Sequence, residues 1–256
     1  MAIAVFYHFG GYKCFKYFYQ QGVLRHLKSY FPEAVSYNRF IELKKEVNIA
    51  LYFFIFYQGL GKQTGKYYVD STKMEVCDNH RICQHKVFKG VAARGKTSAG
   101  WFYGLKLHLI INEQGELMSF CFTAGNVSDS NTGVMGQLCK PISEGGKLFA
   151  DAGYISPKLF ELLYDRGLHL FTKLRKNMKS RLMAMEDKWL LKKRSLVETV
   201  IDLLKNWLDL WHTRHRSIDN GLNNMLACLA AYNFIDHKPA INQPKRNTII
   251  NLIPVP

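Results

Sequence analysis

Glu198 stands in an otherwise apolar, helix-patterned run from Leu196 to Leu210, with Arg194 four positions before it and Lys205 seven after. Upstream, Tyr67-Tyr-Val-Asp70 and Lys147-Leu-Phe-Ala-Asp151 are short β-like runs that each end in an acid. Two strand-end carboxylates and a third on a later helix can meet in one cleft, and carboxylate oxygen is the ligand that Mg²⁺ and Mn²⁺ prefer. A pair of such ions, ~3.5–4 Å apart, stabilises charge on the oxygens of a phosphodiester during its transfer. The ions also offset the mutual repulsion of the acids that hold them. The pattern therefore predicts a metal-dependent enzyme acting on DNA, with Asp70, Asp151 and Glu198 as both catalytic and metal-bearing residues.

Charge supports a polyanionic partner. The 256 residues carry 35 Lys and Arg against 20 Asp and Glu, a formal net charge of +15, which favours nucleic acid or an anionic membrane surface. A spanning helix needs roughly 20 apolar residues, and the longest apolar run, Ile49–Tyr57, is far shorter. The first residues have no basic segment of the kind that opens a secretory signal. Six scattered Cys read as reduced thiols of a cytoplasmic protein. Cys77, His80, Cys83 and His85 lack a second ligand pair at a zinc-like spacing. The stretch 79–112 has six Lys or Arg and no acid, and Lys86, Lys89, Arg94, Lys96 and Lys106 within it are candidate phosphate contacts. Trp101 and Phe102 beside that stretch are aromatic groups suited to packing in a core or stacking on a base. Arg214 and Arg216, after the Glu198 helix, extend the basic set.

The elements that would position these groups follow from periodicity. Residues 1–60 are aromatic-rich and read as a small, mainly helical region, with Ser36 as the N-cap of a helix to about Tyr57. Gly90–Gly100 reads as a loop. Leu105, Leu107, Leu109 and Ile111 alternate with polar partners, a half-buried strand that turns at Asn112-Glu-Gln-Gly115 into a second strand, Leu117–Ala124. Ser156-Pro157 opens a helix that Gly167 closes, Leu168–Leu174 is a further strand, and Ser217–Phe234 is a last helix. Strand, hairpin, strand, helix, strand, helix is an α/β order: a mixed sheet flanked by helices across 61–235, with a flexible, proline-bearing tail at 236–256.

Three fragments, Asp70-Ser-Thr, Asp151-Ala-Gly-Tyr and Arg194-x-x-x-Glu198 with Lys205, resemble the catalytic motifs of bacterial insertion-sequence DDE transposases. The last looks like the family's Tyr-x-x-Arg-x-x-x-Glu-x-x-x-x-x-x-Lys signature, with Leu191 where the family has Tyr. The resemblance implies a ribonuclease H-like catalytic fold and two Mg²⁺ (or Mn²⁺) ions on Asp70, Asp151 and Glu198. It implies Arg194 and Lys205 on DNA phosphates. The activity implied is metal-dependent strand cleavage and transfer of an insertion sequence. Element ends and target DNA would be the partners, in a homodimer or higher assembly, with a cytoplasmic, nucleoid-associated location. Relative to such transposases the chain is expected to lack a first helical segment. Region 1–60 is expected either to pack its aromatics as the core of a small helical subdomain or to present a DNA-binding or dimer-forming face. Alternatives are a ribonuclease H-like nuclease without strand transfer, and an inactive DNA-binding remnant.

Overall fold

A computed structural model describes residues 1–98, 100–175, 177–178, 182–210 and 215–241. Six strands form one mixed sheet: β1 (Lys66–Cys77), β2 (Ala93–Thr97), β3 (Gly100–Asn112), β4 (Leu117–Ala124), β5 (Lys147–Ala150) and β6 (His169–Thr172). The lateral order is β2-β3-β1-β5-β6, with β4 also paired to β3. Strand β3 is long enough to serve two partners on one edge: β2 along Gly100–Gly104 and β4 along Leu105–Ile111. Its other edge pairs antiparallel with β1, while β1, β5 and β6 run parallel.

Nine α-helices are present among the described residues. The first four are α1 (Ala2–Tyr7), α2 (Phe15–Tyr17), α3 (Tyr37–Lys44) and α4 (Asn48–Phe54). Next are α5 (Thr132–Leu138) and α6 (Pro157–Tyr164), then α7 (Met185–Lys192), α8 (Ser195–Asp202) and α9 (Ile218–Asn233). This is the mixed sheet, flanked by helices and preceded by a helical region, that the sequence predicts. No helix among the described residues is long and apolar enough to cross a membrane.

Local signals account for the helix ends. The Ser36 hydroxyl accepts from the Arg39 amide at the start of α3, Ser156 from Leu159 at α6 and Ser217 from Asn220 at α9, each relieving one unpaired first-turn N–H. Pro157 opens α6 where its missing N–H costs nothing, and Gly167 closes the turn with φ +70°. The N-terminal aromatics divide: Tyr7, Phe18 and Tyr19 are buried, with Tyr19 4.6 Å from Phe40 between ring centres, while Tyr17, Tyr30, Tyr52, Phe53 and Tyr57 are exposed. Ala4, Leu51 and Ile55 join the main core with α8 and α9, and the buried Asn223 amide of α9 donates to the Lys44 carbonyl.

The structure corrects three local expectations. Gly90–Gly100 is not a loop, because Ala93–Thr97 is a strand paired with β3. Its glycine explains the misreading: a side chain at Gly95 would meet the Gly125 carbonyl oxygen at 2.1 Å, so Gly95 permits a close backbone approach. Strand β1 does not stop at Asp70 but continues to Cys77 beside β3. Strand β3 is buried on both faces rather than one, so Lys106 (8% exposed) and His108 (0%) lie inside. Period-two patterning shows which face is apolar but not whether the other face is covered. The tail's residues 242–256 lie outside the described residues, while the Ile241 amide donates to the Glu113 carbonyl.

Candidate active site

The parallel pairing of β1 with β5 brings the two aspartates together. Tyr68 sits opposite Phe149, so two residues further on Asp70 stands beside Asp151, on the same face by the period-two rule. The third acid comes from α8. That helix is rich in β-branched residues and gains little from propensity. It is held instead by burying Leu196, Val197, Val200 and Ile201 in the core that also takes Leu204 beyond its end. Glu198 lies on its opposite, exposed face, within the first turn, where a negative charge complements the helix dipole.

Arg194 joins these three elements. Its side chain is only 6% exposed, and one guanidinium nitrogen donates to Asp70 Oδ2 at 3.0 Å. A second nitrogen donates to Glu198 Oε1 and stands 4.0 Å from Asp151 Oδ1. Asp70 is the most enclosed of the acids, with 21% of its side chain exposed against 49% for Asp151 and 52% for Glu198. Burial pushes the Asp70 carboxyl above its ordinary value; the Ser71 amide and the Arg194 charge pull it back only in part, and Glu198 adds to the rise. For Arg194 burial alone would weaken the proton's hold, but Asp70, Glu198 and Asp151 outweigh it and keep the guanidinium firmly charged.

The acids suit a divalent cation in kind. All are carboxylate oxygens, and all three already surround one positive group, the Arg194 guanidinium. Among the described residues no three His, Cys, Asp or Glu side chains are drawn together closely enough, as they stand, to hold an ion. The guanidinium lies between the carboxylates.

A second layer surrounds Asp70, and the motifs did not reveal it. The Ser71 amide donates to Asp70 Oδ1 at 2.8 Å, and the Ser71 hydroxyl donates to Asp129 Oδ1 at 2.7 Å. Lys106 from β3 reaches the same Asp129 oxygen at 3.0 Å and the Val127 carbonyl at 2.9 Å. Tyr154, three residues after Asp151, is 1% exposed. Burial raises its phenol well above the ordinary value, with Asp70 and Asp129 adding to the rise. Asp129 lies in the turn after β4, where no periodicity singles it out.

The other basic residues divide. Lys86, Lys89, Arg94, Lys96 and Arg216 are exposed; Lys106 is turned inward to Asp129, and Arg214 lies outside the described residues. Arg94 and Lys96 lie over the ring of Trp101, at 5.1 and 5.5 Å from its centre, and that indole is 52% exposed. Lys205 follows α8 near Lys73 and Glu75 of β1; burial lowers its ammonium below the ordinary value, with repulsion from Lys73 second.

A family model described as a transposase DDE domain matches residues 60–218, more than half of the chain. The chain belongs to that family. The match covers every strand of the sheet, and Asp70, Asp151, Glu198 and Arg194 all fall within it. Among solved structures, this transposase domain is similar to piggyBac transposase in a synaptic complex with hairpin DNA: 12% identity, TM-score 0.45, over 75% of this chain and 52% of that one. It is also similar to Mos1 transposase in a paired-end complex with the left transposon end, at 12% identity and TM-score 0.33, over 79% of this chain and 65% of that one. The domain thus spans about half of the first protein and just under two thirds of the second. No curated protein is significantly similar to it in sequence.

Proposed function

We propose that this transposase domain cuts DNA at the ends of an insertion sequence and joins the freed 3′-hydroxyl to a target. One observation carries the reading: Asp70 of β1, Asp151 after β5 and Glu198 of α8, far apart in sequence, converge on the single guanidinium of Arg194. In a protein of net charge +15, three acids gathered at one point are opposed to the general drift of charge. A shared cationic ligand explains why they are kept together.

In this reading Asp70, Asp151 and Glu198 hold two Mg²⁺ or Mn²⁺ ions. When bound, such ions activate the attacking oxygen and stabilise charge on the leaving one. Asp70, the most enclosed acid, is fixed by the Ser71 amide; Asp151 and Glu198 are open enough to meet the DNA backbone. Arg194 balances the acids and orients them, and its planar fork also suits a phosphate. Lys205 supplies a point charge to the DNA. Exposed Lys86, Lys89, Arg94, Lys96 and Arg216 contact phosphates without reading sequence. Paired-end cutting calls for at least two copies on the DNA, and region 1–60 supplies the contacts to DNA or to the second copy.

The test is Mg²⁺- or Mn²⁺-dependent cleavage and joining of labelled DNA, including supercoiled plasmid, for wild type, Asp151→Asn and Glu198→Gln. Both sites are about half exposed, so the fold should persist while activity falls by more than ~10²-fold. Cutting without joining would assign a nuclease. Binding without cutting, indifferent to both substitutions, would make the acids structural and the domain a remnant.

A further inference from the structure

Lys106 is an awkward residue for the centre of a sheet. Its side chain is 10% exposed, and its ammonium is held by Asp129 and the Val127 carbonyl. An apolar pair of similar volume would fill such a place with no loss of stability, so a charged pair here asks for another explanation. The contacts of Asp129 suggest one. The carboxylate oxygen that meets Lys106 also accepts from the Ser71 hydroxyl, and the Ser71 amide donates to Asp70. Lys106, Asp129, Ser71 and Asp70 thus form one polar chain running from β3 through the turn after β4 into β1. On its other side Asp129 faces the Asp151 turn: a side chain at Gly153 would lie 3.9 Å from Asp129 Oδ2.

We propose that Asp129 is a positioning residue of this active site, clamped by Lys106 and holding Ser71 so that the Ser71 amide fixes Asp70. The Asp70 carboxylate sits mid-strand, where the adjoining backbone sets where its oxygens point. Strand β1 borders β5 only along Lys66–Tyr68, so at Ser71 that edge has no strand partner among the described residues, and the hydroxyl–carboxylate bond takes its place. Asp129 itself touches neither DNA nor metal; it acts through Ser71.

The inference rests on the reading of Asp70 as a metal-bearing acid, and a double-mutant cycle tests it. Asp129→Ala and Ser71→Ala should each lower the maximal rate of metal-dependent cleavage by ~10–100-fold, the range for outer residues that orient a ligand. The KM for DNA should stay within about twofold, because neither side chain binds DNA. The two changes act on one bond, so the double variant should be no slower than the slower single one. Asp129→Asn, which keeps an acceptor for Ser71, should recover most of the rate. Mn²⁺ binding followed by electron paramagnetic resonance should weaken in Asp129→Ala and Ser71→Ala and not in Asp129→Asn.

Additive losses in the double variant, or a raised KM at full maximal rate, would overturn the proposal. Should Asp129→Ala not fold, Ser71→Ala and Asp129→Asn decide it: slow and near wild type support it, while a Ser71→Ala enzyme at full rate sinks it. A wild type that cuts normally beside two unimpaired variants overturns this inference alone. A wild type with no metal-dependent cleavage overturns the functional reading and this inference with it.

Discussion

Arg194 Nη1 lies 3.0 Å from Asp70 Oδ2, a bond between residues 124 positions apart that ties the residue capping the start of α8 to the middle of β1. It is the most enclosed ion pair of the three that Arg194 makes, and the same guanidinium extends to Glu198 and Asp151. A buried cation therefore stands where the acids meet, and one group links their stability and their chemistry.

Removing that cation should show both. In the metal-free protein Arg194→Gln leaves the enclosed Asp70 without its charge partner and should lower stability by ~1–3 kcal/mol, the scale for stranding a buried polar group. Millimolar Mn²⁺ should restore more of the melting temperature in the variant than it adds to wild type, because an ion no longer competes with a guanidinium. Equal Mn²⁺ effects in both proteins would show that Arg194 and the ion do not share a place.

Asp70→Asn should trade activity for stability. Burial raises the folded-state affinity of Asp70 for its proton above the ordinary carboxyl value of 3.8. Its contribution is then greatest below that value and is lost as pH rises through the raised one. Asn imitates the protonated form, so at pH 7 the variant should melt above wild type, and the gap should close on acidification to pH 3.8 and below. A variant that melts lower at pH 7 would mean that pairing with Arg194 outweighs burial.

The exposed basic residues can be counted by salt. Neutralising Lys86, Lys89, Arg94 or Lys96 singly should weaken binding to unrelated DNA sequences by similar factors. Removing a side chain that touches a phosphate should flatten the slope of log K against log[salt] by ~0.9. An unchanged slope marks a residue that does not touch the backbone. Lys106→Met, whose charge is turned inward to Asp129, should leave the slope as it is.

The helix that presents Glu198 depends on its buried face. Leu204 is fully buried just beyond α8, and Leu204→Ala should cost roughly 2–5 kcal/mol by urea unfolding. Thr199→Ala, on the exposed face, should change stability by no more than ~0.5 kcal/mol. Comparable losses at both positions would contradict the one-sided packing of this helix.

Much of this arrangement is legible along the chain. The alternation Leu105–Ile111, the turn at Gly115, the caps Ser36, Ser156 and Ser217 and the apolar stripe from Leu196 to Leu204 are local signals, and each element they predict is present. The motif spacing brings out Asp70, Asp151, Glu198 and Arg194, and the exposed face that carries Glu198 follows from a period of 3.6 residues, but Asp70 lies mid-strand rather than at the strand end that its run suggests. Strand β2 and the covered second face of β3 were not legible. They depend on which segment lies against which, through contacts such as the approach of Gly95 to Gly125.

By itself, then, the sequence determined the α/β class, the basic character and the acids that could share a cation, since residue type and period are properties of the chain. Only the tertiary structure decided that Arg194 points inward among those acids, that Lys106 is buried rather than turned to solvent, and that Asp129 stands behind Ser71. The physical reason is the same in each case. The direction of a charged side chain is set by which opposite charge is near it in a place water does not reach, and that neighbour is supplied by another element of the fold.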